Sequence, residues 1–508
     1  MSLTSVVRHV FARRVKNLER YQTQGEQLQR QVLTQLLQSA KDTEYGRNHL
    51  FGQAKDYDDF VKHTPLNTYE DVKYDIDRMR QGERDVLWPG RVKWYAKSSG
   101  TTNDKSKFIP VSSEGLKDIH YAGGYDSVAL YLRNNPQSRI FDGRALILGG
   151  SHRPNYNLPG SLVGDLSAIL IENINPLVNL VRVPKKKTAL LSDFEIKRDR
   201  IAQEALYKNV TNISGVPSWM LSVLNRVMEL SGKTHLEEVW PNLEVFFHGG
   251  VAFTPYRHQY EQLITSPNMH YMETYNASEG FFGLQDDPTD ASMLLMLDYG
   301  VFYEFIETSP SPSEAGANGS EKVIPLWAVE TGKNYAMVIS TSCGLWRYVL
   351  GDTIRFTSTN PYKFVITGRT KSFINAFGEE LIVDNAEQGL AFACEQTGAE
   401  VLEYTAAPVF MDANAKCRHQ WLIEFAKAPA DLQQFATLLD QRLQVLNSDY
   451  EAKRYKDITL QPLELIQARQ GLFNDWLRQR GKLGGQNKVP RLSNNREQIE
   501  KLLRLNEE

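Results

Sequence analysis

Arg144-Ala145-Leu146-Ile147-Leu148-Gly149-Gly150 and Leu243-Glu244-Val245-Phe246-Phe247-His248-Gly249-Gly250 share one pattern, a short apolar run closed by two glycines. A strand covered on both faces reads as a near-continuous apolar run, and paired glycines let the chain turn sharply at its end. Helical spacing over Ser218–Glu229 falls between the two runs. Strand, Gly-rich turn and helix in repetition predict an α/β sheet. Sheets of this kind bind ligands beyond the carboxyl ends of their strands, which directs attention to the two glycine turns.

On the amino-terminal side, residues 1–90 read as helical and polar, with turns near Tyr45-Gly46 and Trp88-Pro89-Gly90. Val7, Val10, Phe11, Val15 and Leu18 recur at helical spacing, and Leu28, Val32, Leu36 and Leu37 continue it. The basic residues Arg8, Arg13, Arg14 and Lys16 then form the solvated face of a packing helix rather than a transit peptide. On the carboxyl-terminal side the texture changes after Ser292. Leu294–Leu297, Val301–Ile306, Val323–Trp327, Ala336–Ser340 and Lys363–Ile366 predict short strands, interrupted by a Ser/Pro/Gly loop at Ser309–Ser320. Thr367-Gly368-Arg369-Thr370-Lys371 reads as a hinge. Beyond it lie a helix over 384–396, a strand at Trp421–Phe425, a helix over 430–446 and a Gly-rich stretch at Gly481–Gly485.

Composition sets the outer bounds. At ~150 residues per domain, 508 residues correspond to two to four domains. Hydrophobic residues at 41% and charged residues at 23% describe a globular chain. The 58 basic and 61 acidic residues nearly cancel, without the basic excess of a nucleic-acid binder. No apolar run approaches the ~18–20 residues that span a bilayer, so no membrane partner is expected. Cys343, Cys394 and Cys417 are odd in number and far apart, which suits a reducing, cytoplasmic setting rather than a disulfide framework. The ten histidines show no metal-ligand spacing.

Three segments carry chemistry. Lys97-Ser98-Ser99-Gly100-Thr101-Thr102-Asn103-Asp104-Lys105-Ser106-Lys107-Phe108-Ile109-Pro110 is a small, hydroxylic loop followed by lysines. Such a loop can wrap a polyphosphate with amide and hydroxyl donors and a point charge, although it lacks the Walker A spacing. A polar surface turn has the same composition, so the loop alone decides nothing. Tyr271–Gly280 contains Tyr275-Asn276-Ala277-Ser278-Glu279, an aromatic, small residues and a carboxylate in a tight turn. Glu279 can hold Mg²⁺ there or simply cap the turn. Leu345–Asp352 ends a strand-like run in one acid, placed to accept ribose hydroxyls or to close a turn.

Together and in this order these segments, with the Gly368-Arg369 pair, resemble the adenylate-forming enzymes. The chain more closely resembles the Gretchen Hagen 3 family, the acyl-acid amido synthetases first known as auxin-responsive plant proteins. The likeness runs from Thr43-Glu44-Tyr45-Gly46-Arg47 to Gly484-Gly485-Gln486-Asn487-Lys488-Val489-Pro490-Arg491. It implies a large domain of β-sheets flanked by helices over residues 1–367, a hinge at 368–372, and a small α/β lid domain over 373–508. It also implies an AMP-forming carbon–nitrogen ligase. A carboxylic acid attacks the α-phosphate of ATP, giving acyl-AMP and pyrophosphate, and an amine, commonly of an amino acid, then displaces AMP.

The resemblance further implies roles for individual residues. Ser98, Ser99, Gly100, Thr101, Thr102 and Lys107 hold the ATP phosphates. Gly249 and Gly250 lie against adenine, Tyr275 stacks on it, and Asn276 and Ala277 line the same turn. Ser278 and Glu279 face phosphate and Mg²⁺, Asp352 binds ribose, and Arg369 serves the hinge and reaches ribose. Lys107 and Lys488 supply the catalytic charge. Three departures stand out. Asp104 and Asn276 replace glycines of the plant members, and no lysine occurs in Asn375–Glu380 after the hinge, which leaves Lys488 as the lid lysine. Gly160–Ile171 and Asn212–Leu224 are expected to wall an apolar acyl pocket. An acyl-CoA ligase sharing the first half-reaction and a non-catalytic nucleotide-binding relic are the alternatives. The sequence leaves the acid, the amine and the oligomeric state open.

Overall fold

The computed structural model describes residues 3–98, 107–250, 253, 256–308, 322–369, 373–374, 381–409, 417–447, 450–451, 454, 460–480, 489–493 and 496–507. The amino-terminal periodicity folds as helices Leu3–Leu18, Gly25–Ala40, Tyr57–His63 and Tyr69–Arg80. Asp56 caps the third through the Asp59 amide, and a Thr68–Asp71 capping box starts the fourth. Leu28, Val32, Leu36 and Leu37 are buried as the pattern predicts. The first helix differs in two respects. Val10 is 69% exposed, off the packed face. Arg14 is not on a solvated face: its guanidinium spans Asp126 (2.7 Å) and Asp298 (2.6 Å), fastening the helix to the body.

Fifteen strands precede residue 370 among the described residues: β1 Trp94–Ser98, β2 Lys107–Val111, β3 Arg144–Ile147, β4 Leu162–Gly164, β5 Arg182–Val183, β6 Val210–Gly215, β7 Val245–Gly249, β8 His270–Ala277, β9 Gly280–Leu284, β10 Met293–Leu295, β11 Val301–Glu307, β12 Val323–Pro325, β13 Asn334–Thr341, β14 Tyr348–Thr359 and β15 Tyr362–Arg369. Twelve of them form one sheet in the order β12-β11-β13-β14-β15-β10-β9-β8-β7-β6-β3-β5. The β5-β3-β6-β7-β8 half is parallel and ends in the glycine turns. From β8 onward the pairing is antiparallel. The changeover is the β8–β9 hairpin, whose turn is Ser278-Glu279. β1, β2 and β4 make a separate three-stranded sheet.

Past residue 372, β16 Phe373–Ile374 pairs with β17 Leu381–Ile382, and β18 Glu400–Val409, β19 Arg418–Lys427 and β20 Glu464–Ala468 form a small mixed sheet. Helices Val383–Thr397 and Leu432–Leu446 pack on one face of that sheet and helices Leu472–Gln479 and Glu497–Glu507 on the other, each face closing its own apolar cluster. The stretch read as a hinge begins inside β15, where Gly368 and Arg369 pair with Thr353 and Asp352. Residues 370–372 lie outside the described residues.

A buried ion pair sets the start of β14. Arg347 and Glu304 of β11 are 5% and 1% exposed, and two guanidinium nitrogens meet the carboxylate at 2.9 and 3.0 Å. The third donates to the Thr64 carbonyl at 2.8 Å, while Tyr57 donates to Glu304 at 2.9 Å. Removing one partner of such a pair strands the other charge in the interior, at about 3–5 kcal/mol. Glu304→Gln should therefore lower the urea midpoint of the large domain, followed by tryptophan fluorescence. An unchanged midpoint would show that the pair carries no net stability.

Candidate active site

The hydroxylic loop joins β1 to β2, whose last rungs pair Ser98 with Lys107. Ser99, Gly100, Thr101 and Thr102 lie outside the described residues. At the base of this hairpin the Lys107 ammonium is 3.5 Å from the Tyr348 hydroxyl and 5.7 Å from the centre of the Tyr69 ring. Tyr348 is held by its neighbours. Arg347 takes a left-handed φ of 41°, its carbonyl accepts from the Asn67 amide at 2.9 Å, and the Val349 amide donates to the Asn67 carbonyl at 2.8 Å.

Asp352 lies four residues further along the same strand. It is not the turn acid that the sequence suggests. It is 5% exposed, sits within β14 immediately after Gly351 (φ 88°), and faces Arg369 across the ladder. The Tyr275 hydroxyl donates to the Asp352 carboxylate, and the Tyr275 ring packs edge-on against Phe282 and Phe364. This contact ties the parallel half of the sheet to the antiparallel half. The segment read as one tight turn is strand up to Ala277, with Asn276 and Ala277 half-buried. Ser278 and Glu279 are buried in the turn itself.

Gly249 ends β7 beside Thr274. A Cβ there would stand 2.3 Å from the Thr274 carbonyl oxygen, so no other residue fits, and Gly250 follows at φ 85°. His248 stacks on Phe253 at 4.2 Å, and burial pulls its pKa down to about 3, leaving a neutral ring that fills space. Glu273, the ladder partner of His248, is pushed up to about 7 by burial.

The Gly149-Gly150 turn holds a residue that the sequence did not reveal. Lys197, on helix Phe194–Leu206, donates to the Gly149 and Gly150 carbonyls at 2.6 and 2.9 Å and lies over Trp219 at 4.9 Å. Burial lowers its pKa to about 7. Its sequence context, Lys197-Arg198-Asp199-Arg200, reads as a polar helix face, and no motif signals backbone partners. Of the expected acyl-pocket walls, Met220, Val223 and Leu224 belong to the apolar core, while Leu170 and Trp219 are only half-buried.

Lys107 and Tyr275 thus both meet β14, at Tyr348 and Asp352, and Arg369 is its ladder neighbour. Arg369 is placed by its backbone, as the last residue of β15. Lys488 lies outside the described residues. For Mg²⁺, the described residues hold no group of three ligating side chains. A single buried carboxylate at Glu279 still fits an ion that takes one or two carboxylates and completes its shell with substrate phosphates and water.

The family model for the GH3 N-terminal domain matches residues 14–269, that for the central domain 294–369, and that for the C-terminal domain 384–497. The chain belongs to the GH3 family. It is 23% identical over 570 residues to indole-3-acetic acid-amido synthetase GH3.15 of Arabidopsis thaliana, covering 96% of this chain and 94% of that relative. It is 28% identical over 278 residues to GH3.8 of Oryza sativa subsp. indica, over 50% of this chain and 44% of that one. In fold, it matches the GH3.15 acyl acid amido synthetase in complex with 2,4-DB at a TM-score of 0.79 and 20% identity, covering 97% and 95% of the two chains. It also matches 2-hydroxyisobutyryl-CoA ligase in the postadenylation state at 0.61 and 14%, covering 94% and 91%. The α/β architecture, with a large sheet domain and a smaller carboxyl-terminal one, is therefore that of GH3 and other adenylate-forming enzymes.

In this GH3 chain, Tyr275→Phe removes a hydroxyl that serves a buried carboxylate. Losing a hydrogen bond to a charged group costs about 1.5–3 kcal/mol. Thermal melting should fall accordingly, and an unchanged melting temperature would mean that Asp352 does not depend on Tyr275.

Proposed function

We propose that this chain is an ATP-dependent acyl-acid amido synthetase, which converts a carboxylic acid to acyl-AMP with release of pyrophosphate and then passes the acyl group to an amine of the amino-acid class. Family membership supports the reading, and one observation carries it: the phosphate-loop lysine and the Tyr275 hairpin converge on a single strand. That convergence brings a cation, an aromatic ring and a buried acid to the carboxyl end of the parallel strands, where α/β sheets bind nucleotides.

The chemistry suits these groups. A carboxylate attacking a polyphosphate brings two anions together, so rate comes from charge neutralisation and positioning. In this reading Ser98–Thr102 donate to the phosphates and Lys107 neutralises them, steadied by Tyr348. Gly249 and Gly250 let adenine approach the backbone, and Tyr275 lies beside the base. Asp352 accepts from the ribose hydroxyls with Arg369 adjacent, and Ser278 faces phosphate. Glu279 would hold Mg²⁺, which would supply further neutralisation of the triphosphate. Residues 1–367 bind ATP and the acid, 368–372 form the hinge, and 373–508 act as a lid that brings Lys488 to the α-phosphate. The walls around Leu170 and Trp219 suit an apolar or aromatic acid. Cys343 is buried and Cys394 and Cys417 are half-buried, all three outside any disulfide, and a reducing, cytoplasmic setting suits such thiols.

Acid-dependent exchange of labelled pyrophosphate into ATP should occur with neither amine nor coenzyme A present, across a panel of aryl and alkyl acids. Formation of ADP and phosphate instead would contradict adenylation. Acyl transfer to coenzyme A but to no amine would favour an acyl-CoA ligase. Lys488→Ala should slow acyl-AMP formation by about a hundredfold, or roughly 2.7 kcal/mol of barrier, and leave aminolysis of ready-made acyl-AMP far less affected. Equal loss in both steps would remove the lid lysine from the first step alone.

A further inference from the structure

A cleft of about 340 Å³ opens between helix Gly25–Ala40, the segment around Trp88 and the chain from Glu114 to Ala122. It shares no residue with the candidate active site, and its volume suits a small organic ligand. Val32, Leu36 and Trp88, all buried, give it apolar walls. Glu114 and Asp118, both exposed, follow each other at a spacing of four residues and share the face that lines the cleft with Ala122. That face belongs to an uncommon element. Gly115–Tyr121 is π-helical and runs directly into helix Ala122–Asn134, and π-helical turns of this kind recur at functional sites.

The charges in the cleft do not balance. Among the described residues that line it, Arg14 is the one base, and all three of its guanidinium nitrogens donate to Asp126 or Asp298. Asp298 also accepts from the Tyr21 hydroxyl. Glu114 accepts from two neutral groups, the Ser113 hydroxyl at 2.9 Å and the Trp88 indole at 3.3 Å. Asp118 lies 3.5 Å from the ammonium of Lys117, whose side chain is 83% exposed, and a surface pair of this kind is weak. The floor holds a second, separate feature. Ser342 is 6% exposed, and its hydroxyl has no hydrogen-bond partner among the described residues. That hydroxyl stands 3.1 Å from where a Cβ on Gly300, another cleft residue, would sit. The Ser342 backbone is fixed: its amide donates to the Gly300 carbonyl at 3.0 Å and its carbonyl accepts from the Ser112 hydroxyl at 2.7 Å. The same hydroxyl accepts from the Gly115 amide at 2.8 Å, which joins the floor to the π-helical wall. A buried hydroxyl left unpaired costs free energy that a donor from a ligand recovers.

We propose that this cleft is a binding site for a small aliphatic diamine: one ammonium donates to the Ser342 hydroxyl, the methylenes lie along Val32, Leu36 and Trp88, and the second ammonium sits between Glu114 and Asp118. The residues present select this chemistry. A carboxylate or phosphate would meet Glu114, Asp118 and an Arg14 already held by two acids. A bare metal ion would lack ligands, since the described residues hold no group of three ligating side chains. Methylenes suit the apolar walls, and ammonium groups suit the two acids at the rim. The site adjoins the chain that leads into β14, because Ser342 stands five residues before Arg347 and the Trp88 ring lies 6.1 Å from that of Trp346. Binding here is independent of the adenylation reading.

The test is equilibrium dialysis of the full chain against labelled 1,4-diaminobutane, without ATP or acid, at about 150 mM salt so that loose counter-ion binding is screened. Saturable uptake of one equivalent is expected, with a Kd of about 1 mM or tighter. Glu114→Gln and Asp118→Asn should each weaken binding about threefold, and the two together about tenfold or more. Ser342→Ala should weaken it about threefold. 4-Aminobutanoate, which carries a carboxylate at one end, should not compete. Uptake that never saturates, or competition by 4-aminobutanoate, overturns the site. Undiminished binding in the double variant places the diamine elsewhere on the protein and overturns it as well. Glu114→Gln keeps an acceptor oxygen for the Trp88 indole and Asp118 is exposed, so the double variant retains the fold and decides the matter even if Ser342→Ala does not fold.

Discussion

The buried pair between Arg347 and Glu304 is the constraint on which the site depends. Arg347 takes a left-handed backbone conformation, which bulky residues avoid, and all three of its guanidinium nitrogens donate to Glu304 or the Thr64 carbonyl. The next residue is Tyr348, which meets Lys107, and four residues later the same strand presents Asp352 to Tyr275. Strain at one position and three charge-assisted hydrogen bonds fix where β14 begins, and two chemically distinct parts of the site are built on that strand. The arrangement keeps Tyr348 and Asp352 on a rigid sheet element rather than on loops.

The division of labour between the two halves of the large sheet follows from strand direction. Parallel strands need crossover helices and end together at one side, so their closing turns form one rim. The glycines of that rim leave its backbone without side chains, as the Cβ collision at Gly249 and the φ of 85° at Gly250 require. The antiparallel half is joined by hairpins and supplies long strands that bring single side chains to the same rim. Tyr275 is the stitch between them. The small domain, with apolar clusters of its own, meets the large one through polar contacts at Tyr256, Gln259 and Glu195.

Much of the fold was legible because it rests on local rules. Paired glycines marked the strand ends, since a Cβ at Gly249 would collide with the Thr274 carbonyl. The helix spacing of Leu28, Val32, Leu36 and Leu37 survived because a long apolar stripe has one way to be buried. What failed were features set by distant partners. Arg14 reads as a solvated charge because Asp126 and Asp298 are remote in sequence. Val10 fits the helical period, but the packed face is narrower than the period allows. Asp352 resembles a turn acid because Gly351 precedes it, yet pairing with β15 keeps the chain extended. Lys197 gave no signal at all, since its partners are backbone carbonyls that every residue has.

The account holds that the acid's own oxygen attacks the α-phosphate of ATP. Running the reaction with an acid labelled with ¹⁸O in both carboxylate oxygens and taking the mass of the nucleotide product tests this directly. Acyl-AMP formation followed by attack of the amine on the acyl carbon leaves one labelled oxygen in AMP and none in pyrophosphate. Unlabelled AMP, or label appearing in inorganic phosphate beside ADP, would contradict it.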